Sequence, residues 1–292
     1  MKFASTQARR LITLGVVLAV GATVLGAPAA AAVAPPEGAY WHTRMLTTTT
    51  DHWRFGTRSD PYSLLQQEIT ERWSAPDGRS WFGYRELGSV PKSAADKKAW
   101  QRDGSPSKWS ESIDGKTVKL SIQPSKGHVG PVPQQNSFLF AGQWLTYDEV
   151  QRLPADPHRL KAWIEEAGRV GREILVDGGW LRWNLLEILY DLPAPKEVRA
   201  AAYHGLLTMP GVRAEGNAKD KLGRSGTALL IDMPGGKGTV PVKTRLIVDT
   251  GRMALLSQDE TVTYTKPALV VKTSKLVESG WTDSPPAVPA LP

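Results

Sequence analysis

The 292-residue chain contains no cysteine. That excludes a disulfide framework, a thiolate metal site, a cysteine nucleophile and a lipidated cysteine anchor. Histidine is scarce: His42, His52, His128, His158 and His204 show no i, i+4 pair and no HExxH, so no metal site and no cofactor is expected. Acidic residues are missing from the N-terminal stretch, where Glu37 is the first carboxylate. No run of five like charges, no basic stripe and no recognisable nucleic-acid module occurs, so nucleic acid is not an expected partner.

The acid-free stretch has the form of an export signal. Lys2, Arg9 and Arg10 make a positive start, and Ile12 to Gly26 is an uncharged run of 15 residues. Pro28 and the small residues Ala29 to Ala32 follow, offering A-x-A cleavage sites. Residues 1–32 are therefore expected to be a signal peptide cleaved near Ala32, leaving a secreted or extracytoplasmic protein. The alternative is an uncleaved transmembrane anchor, since Leu11 to Ala34 is 24 residues without a charge. The Ala-rich second half, interrupted by Pro28, favours cleavage. Arg9-Arg10 before Leu11 also fits a twin-arginine signal. With Lys2, Arg9 and Arg10 removed, the 36 basic residues fall to 33 against 29 acidic, so the net charge is +4 instead of +7.

The whole chain is 41% hydrophobic, enough for a sizeable core. Residues 33–281 read as one domain and 282–292, punctuated by Pro285, Pro286, Pro289 and Pro292, as a Pro-rich disordered or extended tail. Residues 39–50, with Tyr40, Trp41 and the threonines Thr47 to Thr50, read as a strand. Tyr62–Ser74 and Ser80–Leu87 flank Ala75-Pro76-Asp77-Gly78-Arg79, a three-residue hairpin loop that sets Trp73 opposite Trp81. Residues 91–106 are Lys/Ser-rich and read as an exposed insertion with at most a short helix. Lys116–Gln123 alternates as a strand after an Asp114-Gly115 turn, and 124–136 reads as a Pro/Gly-rich loop.

A helical middle follows. Thr146 with Glu149 is a capping-box pattern, and Asp156-Pro157 starts a helix to about Ala167. Helix 178–191 has one narrow polar stripe, Asn184, Glu187 and Asp191, and Arg182 as the sole charge outside it; apolar residues cover the rest, so it is expected to be buried on several sides. Pro195 opens another helix that ends before Pro210-Gly211. Six strands are then expected: 212–216, 225–233, 240–249, 252–258, 260–266 and 269–277, joined by tight turns including Pro234–Gly238 and hence antiparallel. The fold class is α+β, a curved antiparallel sheet, half-barrel-like, packed around the helical middle segment.

Met209-Pro210-Gly211-Val212, Asp220…Gly223-Arg224-Ser225-Gly226 and Leu246-Ile247-Val248-Asp249-Thr250-Gly251-Arg252 occur in a recognisable order. With Arg199-Ala200-Ala201-Ala202-Tyr203 and Glu71…Trp73…Pro76-Asp77-Gly78-Arg79, they resemble a family of exported or membrane-anchored actinobacterial proteins with no assigned activity. The resemblance covers roughly residues 39–278. The family is similar in layout to the periplasmic half-barrels that carry lipoproteins or regulate envelope-stress sigma factors. It implies a sheet wrapping helices around an apolar groove. Many members have a longer cytoplasmic segment; this chain has only ten residues before its apolar stretch, which favours release.

Catalytic motifs are weak. Gly235-Gly236-Lys237-Gly238-Thr239 lacks the spacing and the Ser/Thr of a phosphate loop, and Gly223-Arg224-Ser225-Gly226 is followed by Thr227, so it is no nucleophile elbow. Glu68 and Glu71, three apart on one strand, face opposite sides and make a poor glycosidase pair. The chain is thus expected not to be an enzyme. The eleven tryptophans stand out: Trp163, Trp180 and Trp183 fit a helical core, whereas Trp41, Trp53, Trp73 and Trp81 fall on or beside the first strands and are the candidate ligand-binding residues. The function expected first is a non-catalytic binding or sensing protein of the cell envelope, near the membrane, holding a hydrophobic ligand (a lipid or acyl chain) or an envelope protein in an apolar groove. The alternative is a cell-wall polysaccharide binder or envelope hydrolase, marked by exposed aromatics beside convergent carboxylates. Helix 178–191 is apolar enough to plug such a groove.

Overall fold

Alternation along Tyr40–Thr50 sets the geometry of the whole molecule, because successive side chains of this strand, β1, point to opposite faces. The computed structural model describes residues 36–50, 52–113, 115–133, 137–171, 179–235, 240–265 and 268–292. The expected signal at 1–32 lies outside the described residues, as do parts of the turns expected at Asp114-Gly115 and Pro234–Gly238. Among the described residues no helix is long and apolar enough to cross a membrane.

After β1 come β2 (Phe55–Gly56), β3 (Pro61–Tyr62), β4 (Leu64–Ser74), β5 (Ser80–Pro91), α1 (Ala94–Arg102), β6 (Lys108–Ile113), β7 (Lys116–Ser121) and β8 (His128–Pro131). The middle holds β9 (Phe138–Phe140), β10 (Gln143–Leu145), α2 (Tyr147–Gln151), α3 (Pro157–Gly171), α4 (Gly179–Ile188) and α5 (Lys196–Leu207). The last strands are β11 (Val212–Lys219), β12 (Ser225–Met233), β13 (Val242–Asp249), β14 (Ala254–Thr265) and β15 (Ala268–Thr282). Nine strands form one antiparallel sheet in the order β11-β12-β13-β14-β15-β1-β4-β5-β8, open at β11 and β8. The architecture is α+β, an antiparallel sheet packed on a helical middle segment.

Local chemistry explains most element ends. At the β4–β5 turn, Ala75 N donates to Arg79 O at 2.8 Å and Gly78 N to Ala75 O at 2.9 Å, with Gly78 at φ 84°. Trp73 accordingly pairs with Trp81. At α2 both halves of the capping box are made: Glu149 N donates to Thr146 Oγ1, and Thr146 N to Glu149 Oε2 at 2.8 Å. Asp156 Oδ1 accepts from Arg159 N at the start of α3. The stretches 252–258 and 260–266, expected as two strands, are one strand, β14. Gln258, Asp259 and Glu260 look like a break but pair on both sides, with β13 and β15. The polar run 108–113 and residues 128–131 of the expected loop also form strands: β6 pairs with β7 in a local hairpin, and Val129 pairs with Gly83 of β5, far away in sequence.

The helices pack on one face of the sheet. Leu185, Ile188 and Leu189 of α4 and its following turn, with Leu206 of α5, meet Leu229, Ile231, Leu246, Val248, Leu255 and Val277 in one fully buried cluster. Burying each such side chain contributes roughly 1.5–3 kcal/mol. The polar stripe of α4 is used inside: Asn184 Oδ1 accepts from Ala141 N and its Nδ2 donates to Trp180 O, while Arg182 reaches Met233 Sδ and Pro210 O. Trp183 stays exposed.

The residues after β15 carry no helix or strand. Pro289 is buried, and its ring and that of Trp73 both lie 3.1 Å from the place a Cβ would occupy on Gly83. Trp41 Nε1 reaches Tyr190 O on the helix side, so His42, Trp73 and Trp81, in register with one another, lie on the opposite face, under or beside this strap.

Gly211, between α5 and β11, has φ 77°, and a Cβ there would run into the backbone oxygen of Asp232. Gly211→Ala is expected to lower stability by about 1–3 kcal/mol. Urea unfolding checks this; the midpoint should fall with the slope unchanged.

Candidate functional site

The helix-side face of β1, β4 and β5 becomes polar away from the helices. Trp41 Nε1 and Thr43 Oγ1 both donate to Tyr190 O, at 3.1 and 2.9 Å, tying this end of β1 to the turn after α4. Further along, the same face carries Thr47 and Thr49 of β1, opposite Glu68 and Gln66 of β4. Tyr84, Glu86 and, past a bulge, Ser89 of β5 continue the row. Gly88 at φ 93° allows that bulge, and a Cβ on it would strike Ile122 O. A face in the middle of a sheet is ordinarily apolar where it is covered. Here it is polar and partly covered: Thr47 and Ser89 are buried, Gln66, Glu68 and Tyr84 half-buried, and Glu86 exposed.

The cover is the β6–β7 hairpin, held by its own small core. Phe55, Tyr62, Leu64, Ala99, Trp109 and Val118 are buried together, with Trp53, Trp100, Leu120 and Ile122 packed around them. Trp109 Nε1 donates to Tyr62 Oη at 2.9 Å, and Tyr62 Oη donates to Asp103 Oδ2 at 2.8 Å. Burial is the main reason the Tyr62 hydroxyl is pushed up to about 12, so it remains a donor. Asp96 of α1, capped by Ser93, accepts from Ser63 N. Arg102 pairs with Asp60 through two nitrogens, at 2.7 and 2.9 Å.

Between this hairpin and the sheet lies a cavity of about 510 Å³, whose lining includes Trp53, Gln66, Glu68, Tyr84, Glu86 and Lys119. Glu68 and Glu86 are directly opposite in register, two carboxylates on one face. Such a pair is destabilising unless something lies between. Tyr84 Oη donates to Glu68 Oε2 at 3.1 Å. Burial first, and then Glu68 and Glu86, raise the Tyr84 pKa, which keeps the hydroxyl protonated between the two acids. Lys108 and Trp109 also line the cavity, so its wall presents carboxylates, side-chain amides, a phenol, two ammonium groups and two indoles. No histidine lines it, and among the described residues no cluster of three or more His, Asp or Glu gathers as a metal ion needs. The arrangement can hold a ligand by many hydrogen bonds over an aromatic wall.

Of the four tryptophans expected to bind ligand, Trp53 lines this cavity. Trp41 is buried on the helix side and borders a second cavity at the other end of β1. Trp73 stacks on His42, centroids 4.8 Å apart, beneath the strap. Trp81 is half-buried and meets Tyr40 edge-on at 5.6 Å, with Arg79 over its ring. Trp73 and Trp81 share a register position, but the four do not converge on one groove. Glu68 and Glu71 do face opposite ways: Glu71 accepts from Arg44 Nε at 3.1 Å and lies 2.9 Å from His42 Nε2 on the strap side. Gln66, Tyr84, Glu86 and Trp109 were missed as site residues. The available signal was the alternation Gln66, Glu68, Thr70, Arg72, which puts a polar face opposite Ile69 and Trp73.

A smaller cavity of about 260 Å³ lies where β4 meets α4 and includes Arg72, Ser74, Phe138, Glu187 and Asp191. Arg72 Nε is 3.6 Å from Asp191 Oδ1. Burial, then the neighbouring Asp191, pushes the Glu187 carboxyl up to about 8 against the pull of Arg72. Compared with known proteins, the sequence matches no protein-family model and no curated protein.

Proposed function

We propose that this is an extracytoplasmic, non-catalytic binding protein whose ligand is a polyhydroxylated chain, a glycan of the cell envelope, held in the cavity beneath the β6–β7 hairpin. The observation that carries the reading is the partly covered polar face, where Gln66, Glu68, Tyr84 and Glu86 line one cavity beside Trp53. Sugars present vicinal hydroxyls to carboxylates and amides and an apolar ring face to aromatics, and sites for such ligands combine a few placed polar groups with aromatic walls. The cavity volume lies within the range of small-ligand sites.

The apolar-ligand reading has less behind it. The apolar part of the helix-side face is occupied by Leu185, Ile188 and Leu189 of the protein itself. The extracytoplasmic placement rests on the signal-like sequence before Val33.

Isothermal titration of the full chain with N-acetylglucosamine oligomers, together with sedimentation on insoluble cell-wall polysaccharide, tests the proposal. Trp53→Ala and Gln66→Ala are each expected to weaken binding about tenfold, near 1.4 kcal/mol. Absence of binding to every glycan tried, or undiminished binding by both variants, would overturn it.

A further inference from the structure

The second cavity, about 540 Å³, lies at the start of β1 and the end of β15, remote from the cavity beneath the hairpin; Trp41, Tyr147, Trp281, Arg199 and Arg252 are among its lining residues. Trp281 meets Trp41 edge-on at 5.7 Å and Tyr147 edge-on at 5.9 Å, so three rings form one aromatic corner. Arg199 sits over the Trp41 ring at 5.7 Å. Its Nη1 donates to Ala194 O at 2.7 Å and its Nη2 to Arg252 O at 3.3 Å. Its Nε is buried without a hydrogen-bond partner. Both contacts are to backbone carbonyls, so the guanidinium is fixed in place while its charge is not neutralised by a bonded carboxylate.

Arg252 is exposed and stands beside it. Burial first, and then the charge of Arg252, lowers the pKa of Arg199, with Glu37 and Glu197 opposing. Lys196 adds a third cation to the lining. Two like charges placed together are costly unless an anion joins them. The backbone adds to the same field. α5 starts here, and its N-cap, Pro195, offers no side-chain hydrogen bond to the first-turn N–H groups. Those groups carry the positive end of the helix dipole.

We infer that this cavity is a binding site for a small organic anion, a phosphate or carboxylate seated between Arg199 and Arg252 with a flat apolar body against Trp281 and Tyr147. A guanidinium pair grips two oxygens of such a group in a way a lysine pair does not. Glu37 and Glu197 also border the site and compete with the anion, and Glu197 stands in the first turn of α5, so three cations and the helix start face two carboxylates.

Titration of the full chain with phenyl phosphate, and separately with inorganic phosphate, tests the inference. Phenyl phosphate is expected to bind one-to-one and at least tenfold tighter than inorganic phosphate. Arg252→Gln, a change at an exposed residue, is expected to weaken it tenfold or more, and Arg199→Lys comparably. Glu37→Gln is expected to tighten it, while Trp53→Ala leaves it unchanged, which separates this site from the proposed glycan cavity. No binding of phenyl phosphate, equal affinity for the two probes, or unchanged affinity in Arg252→Gln would overturn the inference.

Discussion

Arg224→Met is expected to lower the stability of the fold by about 3–5 kcal/mol. The residue follows the β11–β12 turn, whose Asp220 has a side chain wholly withdrawn from solvent. Asp220 Oδ1 accepts from Leu222 N and Arg224 N, each at 2.9 Å, and Oδ2 accepts from Arg224 Nε at 2.6 Å. The other two guanidinium nitrogens reach across the sheet, to Val277 O of β15 at 2.9 Å and Leu256 O of β14 at 2.7 Å. One side chain thus braces a turn against two strands that are not its neighbours in the ladder. Methionine keeps much of the volume and leaves a buried carboxylate without its cation and two carbonyls without donors. Urea unfolding measures the loss. Asp220→Asn in the same molecule should recover part of it, because the stranded charge is then gone. Arg224→Lys should fall between, since an ammonium cannot reach three acceptors in one plane. A loss below about 1 kcal/mol would place the pair among ordinary surface ion pairs.

The second large effect is a gain. Glu187→Gln is expected to stabilise the protein at pH 8–9 by on the order of 3 kcal/mol, and by under about 1 kcal/mol at pH 5. The folded-state carboxyl, pushed up to about 8 by burial and then by Asp191, ionises well above its ordinary 4.5. The stability present below pH 4.5 is therefore lost progressively as the pH rises toward 8, because the unfolded chain releases this proton first. Glutamine removes the titration and keeps the shape. The magnitude is set below the full shift because Asp191, itself raised by burial, titrates with Glu187 as a pair. Thermal melts from pH 4 to 9 check it: the wild-type melting temperature should decline across this range and the variant's should stay flatter. Two parallel curves would show that Glu187 ionises at the same pH folded as unfolded, and would overturn the prediction.

Residues whose structure is decided by their neighbours in sequence were legible. Pro76-Asp77-Gly78 placed Trp73 opposite Trp81, and Thr146 with Glu149 and Asp156 with Pro157 placed two helix starts. The apolar girth of α4 announced a helix buried between other elements. What escaped depends on distance. Trp109 lies in a serine-rich polar run, and its place in the fold follows from Tyr62 and Val118, with which it is buried. Gln66 and Tyr84 look like solvent-facing strand residues until β6–β7 is laid over them. Trp41 and Trp73 look alike in sequence, but one-residue parity along paired strands sends them to opposite faces of the sheet. The tail could not be placed at all, since its contact is with Gly83 of β5, three strands from β15, which leaves room for Pro289.

The position of β1 has a consequence in time. It lies between β4 and β15, and Ala39 N donates to Asp283 Oδ1 across 244 positions of chain. A polypeptide made from its N-terminus onward therefore holds two separate sheets, β1-β4-β5-β8 and β11 through β14, until the last strand is released. Each presents an unpaired edge during that interval, and such edges invite pairing with other chains. Only β15 pairs with both, and it does so by closing a very long loop, a step that favours slow folding. The nascent sheet thus stays in two parts, bridged only through the helical middle, for as long as β15 is held back.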